Sequence, residues 1–249
     1  MRKIIAIGGG EIGRPGHKIE TKKIDREIIK LTGKKNPKLL FVPTASSDSE
    51  GYVSVAQNYF GKKLKCKVDN LLLLKEKISK KDIEKKILSA DIVYVGGGNT
   101  LKMMNIWKRK GVDKIFKKAI KKGVVFSGLS AGAVCWFKYA SSDSKKFYDP
   151  KASLIKVSGL NFISAVSCPH YDVEKDRKPE LKILMKKTKS AAIALDNCCA
   201  IEIVGDNYRI INSKQSANAY KVYWKDKRYF EEKLKKDNKF RPIKELLNY

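Results

Sequence analysis

The sequence predicts an α/β fold with a mostly parallel sheet flanked by helices. Two observations carry this. Strand-sized apolar runs alternate with amphipathic segments of about ten residues or more, the pattern of repeated βαβ units. Glycine or proline turns follow several of those runs, as the crossovers of such a sheet require. A chain of 249 residues, 43% hydrophobic and 32% charged, can bury a core of its own and suits a single domain over residues 1–249.

Taken in order, Lys3–Ile7 reads as a buried strand and residues 20–32 as a helix carrying Ile24, Ile28, Ile29 and Leu31. Leu39–Val42 is a strand stopped by Pro43, residues 52–62 a helix, and Val68–Leu74 a strand. Residues 80–89 place Ile83, Ile87 and Leu88 at helical spacing, and Asp91–Val95 is a strand ending in three glycines. Helices are expected over 100–108 and 112–121, then a strand over Val124–Ser127 and a helix from Ala131 through Phe137. Residues 140–160 read as loop or hairpin, Ile163–Ser167 as a strand and 178–187 as a helix. Ala191–Leu195, Ala200–Val204, Tyr208–Ile211 and Tyr220–Trp224 follow at short spacing, predicting antiparallel strands added to the edge of the parallel sheet. Basic Glu231–Tyr249 reads as a surface helix plus tail. No linker, repeat or low-complexity segment interrupts the chain.

Composition excludes several classes. No run of eighteen apolar residues exists, and Met1-Arg2-Lys3 precedes too short an apolar run for a signal peptide, so a cytoplasmic location with no membrane partner is expected. Five cysteines, an odd number with no CxxC pair, and only two histidines argue against a disulfide framework or a zinc site. The net charge is +28, but 46 Lys stand against 8 Arg and are spread along the chain. Base readout relies on arginine forks and binding stripes are clustered, so specific nucleic-acid recognition is not expected.

Two glycine-rich turns and one serine carry the chemistry. Gly8-Gly9-Gly10-Glu11-Ile12-Gly13 matches GxGxxG after a first strand, but Pro15 and Gly16 interrupt the helix a dinucleotide site needs, and no acid ends the second strand. Gly128-Leu129-Ser130-Ala131-Gly132 is GxSxG between a predicted strand and a predicted helix. This is the setting of a nucleophile elbow, where serine sits on a sharp turn and backbone N–H groups face a developing oxyanion. A nucleophilic serine needs a base. His17 lies in a polar turn, whereas His170 follows the apolar run Ile163–Val166, so His170 is the base by elimination. An acid must orient its imidazole; Asp143, Asp149, Asp172 and Asp196 are the candidates, and spacing does not choose among them.

Tyr94-Val95-Gly96-Gly97-Gly98-Asn99-Thr100, the elbow Gly128–Ala133, Pro169-His170, Ala140-Ser141-Ser142-Asp143 and Val42-Pro43-Thr44-Ala45 together resemble the aspartyl dipeptidase (peptidase E) and cyanophycinase family of serine peptidases, over about residues 1–205. The resemblance implies a three-layer fold related to class I glutamine amidotransferases, with Ser130 in place of that group's cysteine. It implies Ser130 as nucleophile, His170 as base and Asp143 as orienting acid, or Asp149 if the cyanophycinase pattern holds. It further implies an oxyanion hole from the N–H groups of Gly98 and Ala131, and substrate-binding roles for Asn99 and for Arg177, the latter pairing the aspartate of an Asp-Xaa dipeptide. No metal or cofactor is expected; the partner is a small peptide, and the assembly a monomer or homodimer. The alternatives are a cyanophycinase-like or other small-amide hydrolase, a nucleotide-binding module using Gly8–Gly13, and a polyanion-binding protein.

Overall fold

The computed structural model describes residues 1–248, and in it two sheets share the core. The chain runs β1 (Lys3–Ile7), α1 (Lys22–Lys30), β2 (Lys38–Val42), α2 (Glu50–Ala56, continued by a π-helical turn over Gln57–Lys63), β3 (Lys67–Asn70), α3 (Lys80–Ser89), β4 (Ile92–Val95), α4 (Thr100–Lys110), α5 (Val112–Lys121) and β5 (Val125–Leu129). It continues through α6 (Ala131–Val134), β6 (Phe137–Ser142), β7 (Ile155–Ser158), β8 (Ile163–Cys168), α7 (Arg177–Lys186) and β9 (Ala192–Leu195). The last elements are β10 (Cys199–Val204), β11 (Asn207–Asn212), β12 (Ala219–Lys225), β13 (Arg228–Lys233), β14 (Arg241–Pro242) and α8 (Lys244–Leu247).

The first sheet has the order β3-β2-β4-β5-β1-β10-β11-β14. Its first five strands are parallel, and β10, β11 and β14 continue it antiparallel from β1. Alternation explains why its inner strands are apolar throughout. Ile4 and Ala6, Leu40 and Val42, Val93 and Val95 point into one core; Ile5 and Ile7, Leu39 and Phe41, Ile92 and Tyr94 point into another. The second core is closed by α1 and α2 through Ile24, Ile28, Tyr59 and Phe60. The first is closed by α3–α5 and the second sheet, around an aromatic cluster in which Phe126 and Trp136 lie 5.0 Å apart and Trp107 and Phe116 also 5.0 Å. Each such side chain, fully buried, contributes about 1.5–3 kcal/mol.

Three sequence expectations change here. The antiparallel tail is divided: β10, β11 and β14 extend the first sheet as expected, but β9 and β12 join a second sheet of order β13-β12-β9-β8-β6-β7. There β6, β8 and β9 are parallel, with α7 as the crossover between β8 and β9. The helix expected through Phe137 stops at Val134, because Val134-Cys135-Trp136-Phe137 is bulky, aromatic and poor in helix formers, and Phe137 opens β6. The hairpin expected within 140–160 is the antiparallel pair β6–β7. The stretch expected as a surface helix begins instead inside β13, which pairs with β12 across a turn where Asp226 and Lys227 both have positive φ, and only Lys244–Leu247 is helical. Tyr249 lies outside the described residues. Among the described residues no helix is long and apolar enough to cross a membrane.

Under the second core, α1 buries Asp25 completely; its Oδ2 accepts from Thr21 Oγ1 and Tyr59 Oη, both at 2.7 Å, and its Oδ1 has no partner among the described residues. Burial raises this carboxyl from an ordinary 3.8 to about 7. A raised folded value means the folded state holds a proton that the unfolded state has released. Stability from this group is therefore full below the ordinary value and is lost as pH rises toward 7, by an amount on the order of 4 kcal/mol at about 1.4 kcal/mol per pH unit. Asp25→Asn keeps the shape and removes the titration, so its melting temperature should change less between pH 4 and pH 7 than that of the parent. An unaltered pH slope in the variant would show that another group holds the proton.

Candidate active site

The carboxyl ends of β1, β4, β5 and β8 converge where the two sheets meet. Ser130 follows β5 with φ 55 and ψ −116, a strained conformation for a residue with a side chain, and its N–H donates to Ile7 O at 3.1 Å. The glycines beside it are required by the approach of β4. A Cβ on Gly132 would lie 2.0 Å from Val95 O and one on Gly128 2.4 Å from the same atom.

His170 follows β8, also at positive φ (53), with its N–H on Gly8 O at 3.1 Å. Its Nε2 is 2.8 Å from Ser130 Oγ, and its Nδ1 is 2.7 Å from Asn197 Oδ1. An amide oxygen only accepts, so Nδ1–H donates to Asn197 and the bare Nε2 accepts the Ser130 O–H. Asn197 sits in the turn by which the chain leaves β9 in one sheet for β10 in the other, and its backbone N–H donates to Asp172 Oδ1 at 2.8 Å. The first glycine-rich turn packs beneath this pair: a Cβ on Gly9 would lie 2.0 Å from Asn197 Oδ1 and 2.4 Å from His170 Nδ1. Gly9 thus lies directly under the His170–Asn197 pair. Helix α1 begins only at Lys22, so the turn lacks the helix N-terminus of a dinucleotide fingerprint.

Among the described residues, none of the carboxylates expected as orienting acid bonds the His170 ring. Asp143 pairs with Arg177 at 3.4 Å; Asp149 accepts from Lys151 N, Asp196 from Asn218 N, and Asp172 from Asn197 N. Arg177, expected to bind substrate, is 1% exposed at the start of α7. It donates to Glu174 Oε2 at 2.6 Å and Ser141 O at 3.1 Å besides facing Asp143. A guanidinium so enclosed and neutralised holds the second sheet to α7 and does not reach the Ser130 cleft. Asn99 is structural as well: its Oδ1 caps α4 by accepting from Lys102 N, and its Nδ2 donates to Ser144 O at 3.1 Å. Of the expected oxyanion donors, neither Ala131 N–H nor Gly98 N–H has an acceptor among the described residues. Gly97 is the glycine packed against Ser130, at 3.4 Å from a Cβ built on it to Ser130 Cβ. Gly98, at φ 136, backs onto Ala45, whose carbonyl leaves 2.3 Å for a Cβ.

Above Ser130 opens a cleft of about 950 Å³. Gly10–Pro15 form one wall, Ser49, Tyr52, Val55 and Asn58 the other, and Ser130, His170 and Asn197 the floor. Tyr52 Oη accepts the Gly97 N–H at 3.3 Å, and burial pushes its hydroxyl up to about 12, so it stays a neutral phenol. All five cysteines are buried and unpaired, and among the described residues no cluster of three or more His, Cys, Asp or Glu is arranged to hold a metal ion.

The model of peptidase family S51 matches residues 4–211. The chain belongs to this family. It is accordingly a serine-type peptidase, with Ser130 at the elbow. Its relatives include an uncharacterized peptidase, YgaJ, of Bacillus subtilis strain 168, 34% identical over 224 residues and covering 89% of this chain and 92% of that one. Peptidase E of Shewanella denitrificans is 23% identical over 200 residues, 76% of this chain and 80% of that one. Among solved structures, a peptidase from an acI-B1 Actinobacterium superposes with a TM-score of 0.73 at 17% identity over 97% of both chains. A peptidase E candidate from Listeria monocytogenes EGD-e superposes with a TM-score of 0.63 at 22% identity, covering 85% of this chain and 98% of that one. The S51 peptidase thus shares its α/β fold with these neighbours.

What the sequence reading missed is Asn197 and the charged groups of the cleft wall. A carboxylate is the third member a serine and a histidine lead one to expect, and no local pattern marks an asparagine in a turn between sheets.

Proposed function

We propose that the S51 peptidase hydrolyses small peptides, Asp-Xaa dipeptides by preference, with Ser130 as nucleophile, His170 as general base and Asn197 as the residue that orients the imidazole. The observation that carries this reading is the unbroken chain Ser130 Oγ–His170 Nε2 and His170 Nδ1–Asn197 Oδ1, at 2.8 and 2.7 Å. As Oγ attacks the amide carbon, its proton passes to Nε2, and Asn197 keeps the other ring proton in place. The N–H groups of Ala131 and Gly98 are the proposed oxyanion donors, and losing one such donor costs about 3–4 kcal/mol of barrier. His170 then protonates the leaving amine, and water attacks the acyl-enzyme with His170 again as base. A Ser-His-Asn set parallels the Cys-His-Asn arrangement of other hydrolases, in which a neutral amide fixes the tautomer without adding charge. The Asp-Xaa preference draws on the kinship with peptidase E.

A fluorophosphonate probe should label the protein at Ser130 alone, as read by peptide mapping, and labelling should block release of leucine from Asp-Leu. Label on another residue, or undiminished hydrolysis after labelling, would overturn the assignment. A small-amide hydrolase with a different substrate would label in the same way but leave Asp-Leu intact.

A further inference from the structure

In a chain of net charge +28, the cleft over Ser130 contains a single Lys or Arg among the described residues, Arg14. Arg14 is 60% exposed, and its guanidinium forks onto both carboxylate oxygens of Glu11, which also lines the cleft. The two differ in how they are held. The Glu11 backbone is pinned, its carbonyl accepting from Glu20 N at 2.7 Å and its N–H donating to Glu20 Oε2 at 3.2 Å. Arg14 stands at the loop tip between Gly13 (φ 98) and Gly16 (φ 80), and nothing lies within 4 Å of a Cβ on Gly16. Exposed ion pairs add little stability, so this one opens readily to a ligand that satisfies both halves.

Such a ligand must carry an anion and a cation close together, on the same side of the bond to be cut, because both protein groups come from one loop. The two termini of a dipeptide flank the scissile bond and do not meet this condition. An N-terminal aspartate does, with its ammonium and side-chain carboxylate on one residue. Arg14's planar fork suits that carboxylate bidentately. We propose that Glu11 and Arg14 read the first residue of the substrate together: Arg14 releases Glu11 to take the aspartate carboxylate, and Glu11 takes the free ammonium. The assignment rests on the reading of Ser130 as peptidase nucleophile and supplies the cation that Arg177, enclosed under α7, does not.

The test compares kcat/KM for Asp-Leu, Asn-Leu and N-acetyl-Asp-Leu in high salt, where long-range attraction by the lysine surface is screened. Arg14→Met should lower the Asp-over-Asn ratio by about 10–100-fold, the loss expected for a charge-assisted hydrogen bond, and Arg14→Lys should retain a larger part of it. Glu11→Gln should lower the preference for Asp-Leu over its N-acetyl form by about tenfold. Thermal melts and fluorophosphonate labelling of each variant report that fold and nucleophile are intact. An unchanged Asp-over-Asn ratio in a folded, labelled Arg14→Met overturns the proposal and leaves the serine mechanism standing, as does a parent protein that labels at Ser130 yet cleaves none of the three. A folded parent that neither labels nor cleaves overturns the serine mechanism itself.

Discussion

Ser130→Ala is expected to lower kcat for peptide hydrolysis by about 10⁴–10⁶-fold, and His170→Ala by a similar factor, with the double variant little worse than either. The expectation follows from how the groups are joined. Ser130 Oγ is hydrogen-bonded to His170 Nε2, so removing either partner leaves the other without a chemical role. Residual rate in each variant comes from substrate binding and the oxyanion donors, which neither change touches. Stability should barely move for Ser130→Ala. The strained backbone at φ 55 is held by the close passage of Val95 and by the Ser130 N–H on Ile7 O, and alanine retains both. His17→Ala, in an exposed turn, should behave as the parent. Circular dichroism and kcat on purified variants decide. Near-parental turnover in Ser130→Ala, or strict additivity of the two losses, would dissolve the catalytic unit.

How much of this was legible in the sequence depends on the range of the interaction. The inner parallel strands were readable because they are apolar on both faces, as Ile4–Ile7 and Ile92–Val95 are. The elbow was readable because glycines at 128 and 132 are demanded by a backbone contact that recurs wherever a strand turns sharply into a helix. The second sheet was not, because the choice of β9 between two sheets is made by distant pairing with Val166–Cys168 rather than by its own residues. Arg177 has the local look of an exposed charge at a helix start. It is buried because Ser141 O, Asp143 and Glu174 meet over it, and two of these lie more than thirty residues away. Asn197 was invisible for the same reason, since only the crossing between sheets brings it to His170. The GxGxxG turn is, as the interruption by Pro15 and Gly16 suggests, a glycine-rich turn at the sheet edge, and Gly9 is needed there for closeness to His170 and Asn197.

The second large effect is expected at that asparagine. Asn197→Ala removes the acceptor that holds His170 Nδ1–H, so the imidazole can turn and take the other tautomer, whose Nε2–H cannot accept the Ser130 proton. A loss in kcat of about 10²–10⁴-fold should follow, with little change in KM, by analogy with triads whose orienting residue is changed. Asn197→Asp supplies a readout that a merely structural role would not move. A carboxylate 2.7 Å from Nδ1 favours the protonated imidazole, which cannot act as base, so the acid limb of kcat/KM against pH should shift upward while activity above it is kept. Asp143→Asn should behave in the opposite sense. Asp143 faces Arg177 at 3.4 Å with its carboxylate a third exposed, so the change should cost about 1 kcal/mol of stability and alter kcat by no more than a few-fold. If Asp143→Asn instead lost activity a thousandfold while Asn197→Ala kept near-parental turnover and an unmoved pH profile, the orienting role would return to Asp143. That would require the loop carrying it to leave Arg177 for His170 during the reaction.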